Sequence, residues 1–170
     1  MRLLCDEMLA RLARWLRAAG HDAAMAALGA PDEALLAMAE AEDRLLITKD
    51  PDLAERAGRR GVLISGDGAD AEALALSRRL RLDWRLAPFT RCVMDNTLLR
   101  PATPEEIGRM PQGTRALGGP FNACQACGRL YWPGSHVRRM AERLARWDEA
   151  GAAAGSEPYD GLPSSSPRPR

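Results

Sequence analysis

The sequence contains no run of the roughly twenty uninterrupted apolar residues that a membrane-spanning helix needs. Its N-terminus turns charged at Arg2, Asp6 and Glu7 and lacks a signal-peptide core, so a cytoplasmic location is the expectation. No internal repeat is present. At 170 residues the chain is too short for two full-sized domains and reads as one compact domain with a small appendage. Lysine is almost absent: of 24 basic residues only Lys49 is lysine and the rest are arginine. An arginine-biased composition explains much of this, although the planar guanidinium is also the better phosphate ligand. Net charge is close to nil as well, at +1, but it is unevenly placed. Residues 1–88 carry 13 basic and 15 acidic side chains, 89–147 carry 9 and 4, and 148–170 carry 2 and 4. With 46% apolar and 28% charged residues, there is material for a soluble core.

The first half alternates short apolar runs with amphipathic segments. Leu3 to Cys5 reads as a strand, and Leu9, Leu12, Ala13 and Leu16 give the spacing of a helix that Gly20 stops. Arg11, Arg14 and Arg17 fall on its other side as a basic outer face. An extended piece follows at 23–27, and Pro31 opens a helix whose first turn holds Asp32 and Glu33. Leu45 to Thr48 is the next strand, Asp50-Pro51 starts a helix to about Ala57, Val62 to Ser65 is a strand, and a helix runs from Asp70 to about Leu80. This rhythm argues for an α/β fold, a parallel sheet flanked by helices, over residues 1–88. Residues 89–148 carry Pro101, Pro104, Pro111, Pro120 and Pro133 and then a helix at 136–147; residues 149–170 read as a disordered tail.

In open parallel sheets ligands gather at the carboxyl ends of the strands. Asp6 follows the first strand directly, Asp50 lies two residues past Thr48, Asp67 lies two past Ser65, and Asp32 and Glu33 begin a helix between them. Carboxylates brought together repel unless a cation sits among them, and oxygen ligands suit Mg²⁺ or Mn²⁺. The matching reaction is attack of an activated water on a phosphodiester, with Asp6 and Asp50 as metal ligands and Lys49 and the α-helical arginines on phosphates. Each acid taken singly also fits a helix cap.

Four cysteines fall as Cys5 alone in an apolar run and Cys92, Cys124 and Cys127 towards the C-terminal half, a grouping that suggests a metal before disulfides. Cys124-x-x-Cys127-Gly128 has the shape of a metal knuckle, and with Cys92 and Asp95 the pattern is a zinc ribbon with one thiolate replaced by a carboxylate. A redox pair, a ribbon that has lost its metal, and His136 as a substitute fourth ligand are the alternatives. Cys5 suits the core. A proline-rich segment with few large apolar residues needs such a crosslink. Arg91, Tyr131, Trp132 and His136 nearby interleave charge with aromatic faces, which suits single-stranded RNA, although Tyr131 and Trp132 equally suit a small ribbon core.

The blocks Leu4-Cys5-Asp6-Glu7-Met8-Leu9, Leu12-Ala13-Arg14-Trp15-Leu16-Arg17 with Gly20, and Arg44-Leu45-Leu46-Ile47-Thr48-Lys49-Asp50 resemble the Mut-seven C-terminal RNase domain. So do Arg91-Cys92, Asn96, Cys124, Cys127-Gly128, Tyr131-Trp132 and Gly134-Ser135-His136, and the likeness covers residues 2–146. The resemblance implies a PIN-like nuclease fused to a zinc ribbon, a Mg²⁺- or Mn²⁺-dependent RNase whose acids correspond to Asp6, Asp32 or Glu33, Asp50 and Asp67. It also implies that the ribbon positions RNA. Asp95 stands where that family has a second cysteine. The expectation is therefore a metal-dependent ribonuclease with a zinc ribbon; the alternative is a non-catalytic RNA- or protein-binding adaptor.

Overall fold

The computed structural model describes residues 1–154. Strands β1 (Arg2–Cys5), β2 (Asp22–Met25), β3 (Leu45–Thr48) and β4 (Gly61–Leu63) form one parallel sheet in the order β2-β1-β3-β4. Every strand pair in it is parallel, so each connection crosses over through a helix. The helices are α1 (Ala10–Ala18), α2 (Asp32–Ala41), α3 (Pro51–Arg56) and α4 (Ala69–Arg79). Alternate strand residues feed two cores. Leu3, Cys5 and Ile47 pack with Leu12, Ala13 and Leu16 of α1 and Ala73 and Leu76 of α4. Leu4 and Leu46 pack on the opposite face with Leu35 and Ala39 of α2 and Leu53 of α3. Burial on both faces explains the near-continuous apolar strands.

Because β1 leads out to β2 on one side and β3 lies on its other side, the winding reverses between β1 and β3. Their carboxyl ends therefore flank the topological switch point, where such sheets place ligands. Asp6 follows β1 at this point, and Thr48, Lys49 and Asp50 follow β3.

Residues after 88 hold a three-stranded antiparallel sheet, β5 (Arg100–Pro101), β6 (Asn122–Ala123) and β7 (Leu130–Tyr131), with two short helices, α5 (Pro104–Gly108) and α6 (Gln112–Arg115). Helix α7 runs from Ser135 to Ala154. The sequence predicts that helix over 136–147 and a tail from 149, yet alanine-rich residues 149–154 continue the helix; the rest of the expected tail lies outside the described residues. Nor does α7 simply belong to the ribbon: Leu144 and Trp147 are buried in the main core beside Trp84. Among the described residues no helix is long and apolar enough to cross a membrane.

Candidate active site and metal centre

The acids sort into those the fold gathers at the switch point and those it holds apart. Asp6 is buried, with 9% of its surface exposed, and its Oδ2 accepts a 2.8 Å hydrogen bond from the Thr48 hydroxyl. The same hydroxyl oxygen accepts from the Asp50 backbone N–H at 3.0 Å, so one threonine ties the ends of β1 and β3 together. Asp50 caps α3: its Oδ1 accepts from the N–H groups of Asp52 and Leu53 at 2.8 and 3.2 Å, with Pro51 at the first helical position. Neither Asp6 nor Asp50 has an ion-pair partner among the described residues.

Lys49 adjoins this pair but donates to an acid that the sequence reading passed over. Its Nζ lies 2.9 Å from Glu72 Oε1, and only 3.8 Å from the fully exposed Asp67. Glu72 sits in the first turn of α4 and is 5% exposed, with its Oε2 buried and without a hydrogen-bond partner. In sequence it looks like any acid at a helix N-terminus, and only packing distinguishes it. Asp32 and Glu33 are placed otherwise than expected: Arg56 of α3 pairs with both, at 2.7 and 2.8 Å, and no hydrogen bond joins them to Asp6. A hydrogen bond from its own backbone N–H, and then Arg56, lower the Glu33 carboxyl pKa. Cys5 is a core residue, its thiol pushed up to about 12 by burial.

The second centre is built from two loops of the same shape. In one, Asn96 N–H donates to Cys92 O at 3.0 Å and Cys92 N–H to Thr97 O at 2.8 Å; in the other, Gly128 N–H donates to Cys124 O and Cys124 N–H to Arg129 O, both at 2.9 Å. The fifth residue of each is left-handed, Asn96 at φ 71° and Gly128 at φ 69°. Asp95 thus occupies the position that Cys127 holds in its counterpart. Cys92, Asp95, Cys124 and Cys127 bring one ligand atom each within 4.8 Å of all the others, and this is the one group of three or more such side chains so placed among the described residues. They can hold a metal ion. Tyr131 donates to Cys92 Sγ at 3.0 Å, and the Cys127 thiol is pushed up to about 12, first by its hydrogen bond to Asp95. A cation bound here would take the place of the thiol proton and favour the thiolate. His136 lies exposed on α7 outside this set.

Several expected RNA contacts are engaged within the protein. Arg17, placed by periodicity on the outer face of α1, is 4% exposed; its Nε donates to Ala23 O at 2.7 Å and its Nη1 to Val93 O and Met94 O at 3.1 and 2.7 Å. Arg91 donates to Gly20 O and Asn96 O. Asn96 accepts from Ala23 N–H and donates to Asp22, so the first metal loop is latched to edge strand β2. Tyr131 is committed to Cys92 and to the Val93 N–H. Arg11, Arg14, Trp132 and His136 remain exposed.

A parallel sheet with the buried Asp6 carboxylate and Asp50 beside its switch point, joined to a compact metal-binding loop pair, has the layout of a nuclease-like domain with a metal knuckle. The family model for the Mut7-C RNAse domain matches residues 1–144, and the chain belongs to that family. No curated protein matches it, and no solved structure matches it.

Proposed function

We propose that the protein is a metal-dependent ribonuclease whose cation site centres on Asp6. The observation that carries this reading is the buried Asp6 carboxylate at the β1/β3 switch point, held by Thr48 and left without a counter-ion. Asp6, Asp50 and Glu72 each use one oxygen in the contacts above and keep the other unbonded among the described residues, and carboxylate oxygens together with waters are the ligands that suit Mg²⁺ or Mn²⁺. Such an ion supplies an activated water and charge neutralisation at the phosphoryl oxygen. The chain's own part is to fix the carboxylates: Thr48 orients Asp6, the α3 cap orients Asp50, and Glu72 holds Lys49, whose ammonium faces a scissile phosphate. Asp67, fully exposed beside Lys49, is a peripheral acid in this arrangement, and Asp32 and Glu33 brace α2 on α3.

The quartet in the second centre suits Zn²⁺. Tetrahedral geometry with Zn–S near 2.3 Å puts sulfurs about 3.8 Å apart and a sulfur and a carboxylate oxygen about 3.5 Å apart. The corresponding separations are 3.7 Å between Cys92 and Cys127, and 3.3 and 3.4 Å between Cys124 and the Asp95 oxygens. Its role here is structural, since it closes the loops that latch to β2.

The adaptor reading draws on one fact, that Asp50 already serves as a helix cap. Mn²⁺ binding followed by electron paramagnetic resonance separates the two. The ribonuclease reading expects Mn²⁺ held by the parent protein and released by Asp6→Asn; equal retention in both, or none in either, favours the adaptor.

A further inference from the structure

The exposed arginines are distributed in a way that the ribonuclease reading alone does not require. Within the α/β domain Arg2 and Arg44 pair with Asp22 and Glu42, Arg56 with Asp32 and Glu33, Arg60 with Asp43 and Lys49 with Glu72, whereas Arg78, Arg79 and Arg85, like Arg109, Arg115 and Arg129 of the ribbon, are exposed and make no ion pair among the described residues. Arg11 and Arg14 of α1, and Arg138, Arg139 and Arg146 of α7, are exposed and have no ion-pair or hydrogen-bond partner among the described residues.

These two sets are brought together by an aromatic seam. Trp15 of α1 meets Trp147 of α7 edge-on, with ring centroids 4.8 Å apart, and the Arg143 guanidinium lies 5.2 Å from the Trp15 ring and 5.3 Å from the Trp147 ring. Asp70 fixes the arrangement, accepting from Arg143 at 2.9 and 2.6 Å and from the Trp147 indole at 2.8 Å. Helical spacing then sets the neighbours: Arg11 is one turn from Trp15, Arg139 one turn from Arg143, and Arg146 a turn to its other side. The acids on this face are few. Asp70 is consumed as described and also feels Arg146, Asp148 accepts from the Trp84 backbone N–H, and Glu142 and Glu149 stand against five arginines that make no ion pair.

The seam also lies at the right end of the fold. Asp70 is in the first turn of α4, which leaves the carboxyl end of β4, and Arg11 follows Asp6 by five residues. Resting on the ribonuclease reading, we propose that the α1–α7 arginine surface is a track that carries single-stranded RNA to the Asp6 edge. Arg17, Arg91 and Tyr131 are unavailable for this because the latch to β2 and the Cys92 loop employ them. Phosphates along the strand would meet guanidinium groups spaced by helical turns of about 5.4 Å. Charge complementarity selects this partner, since a polyanion is the ligand that a row of unmatched arginines favours.

The test uses the full chain carrying Asp6→Asn, so that the probe survives, and a fluorescein-labelled uridine dodecamer read by anisotropy over a salt series. The quadruple variant Arg11→Gln, Arg14→Gln, Arg139→Gln, Arg146→Gln is compared with Arg78→Gln, Arg79→Gln, two exposed arginines in the last turn of α4. All six side chains are exposed, and circular dichroism checks that folding is retained. The expected result is binding weakened more than about tenfold in the quadruple variant, with the log K against log salt slope shallower by about 0.7 for each lost phosphate contact. The α4 pair should bind like the parent. Unchanged binding in the quadruple variant, or an equal loss in the α4 pair, overturns the track. If Mn²⁺-dependent cleavage by the chain with Asp6 intact persists in that case, the ribonuclease reading stands without it. Absence of RNA binding by the parent would overturn both.

Discussion

Replacing Arg17 with methionine should unlatch the metal-binding loops from the α/β domain. The substitution keeps an apolar stem of similar reach and removes the guanidinium that joins Ala23 O, Val93 O and Met94 O. Hydrogen bonds from a charged donor contribute roughly 1.5–3 kcal/mol each, but the three are not equal here. Met94 is 43% exposed, so water can replace the guanidinium at its carbonyl, whereas Ala23 is fully buried and its carbonyl loses that partner. Burial also penalises the charged Arg17, lowering its pKa, and removing it returns part of that penalty. The net loss works out at about 3 kcal/mol, which for a chain of this length lowers Tm by roughly 6–12 °C. Two probes follow unfolding: tryptophan fluorescence, with Trp15, Trp84 and Trp147 reporting the main core, and thiol labelling of buried Cys92 and Cys124 reporting the metal loops. The parent should give coincident midpoints, and Arg17→Met should shift both down and expose Cys92 and Cys124 first. A change below about 1 kcal/mol, or a fluorescence midpoint left where it was, would refute the latch, because surface arginines contribute no more than that.

Three further expectations follow from the same geometry. Thr48→Val removes both the donor to Asp6 and the acceptor of the Asp50 N–H at nearly constant volume; stability should fall by about 2–4 kcal/mol in urea unfolding, and Mn²⁺ affinity by about 10–100-fold. Removing the metal from the quartet with a chelator should raise Cys127 reactivity and lower Tm, while Asp95→Cys, which restores a fourth thiolate, should hold Zn²⁺ more tightly in chelator competition. Although burial raises the Asp22 carboxyl, hydrogen bonds from Arg44 and Asn96 outweigh it and lower the pKa from 3.8 to about 2. Its folded value lies below the unfolded one, so its stabilisation is full above about pH 4 and is lost as pH falls towards 2. Asp22→Asn should flatten the urea midpoint over that window, and an unchanged slope would contradict the assignment.

What the sequence disclosed was whatever chain order alone decides. Apolar runs bounded by turn residues marked β1 and β3, and Asp6 and Asp50 were visible because each lies within two residues of its strand's end. Cys124 and Cys127 were visible by their spacing, and Asp95 because it repeats that spacing from Cys92. Strand β4 ends at Leu63 rather than Ser65, since its pairing with β3 runs only from Gly61 to Leu63. Gly20 stops α1 as expected, at φ 101°, and a Cβ there would come within 2.4 Å of the Ala87 carbonyl oxygen. Where partners come from distant segments, periodicity was silent or misled. Arg17 falls on the polar side of the apolar stripe of α1, but the loop at 93–94 covers it. Glu72 looks like a helix-dipole acid, and only the approach of Lys49 from β3 reveals its burial. Asp32 and Glu33 share the strand-end topology of Asp6, yet Arg56 arrives first. The length of α7 and its docking through Trp147 likewise depended on a tertiary surface, the seam with Trp15 and Trp84.

The central claim is that a carboxylate-held cation at Asp6 drives phosphodiester hydrolysis, and the direct measurement is the cleavage rate of an end-labelled single-stranded RNA in Mn²⁺. Parent protein and Asp6→Asn are to be run side by side, with an EDTA lane for each. The account predicts cleavage by the parent that EDTA abolishes, and loss of that cleavage in Asp6→Asn with the fold and RNA binding intact. Equal turnover by the two proteins, or cleavage that persists in EDTA, would contradict it.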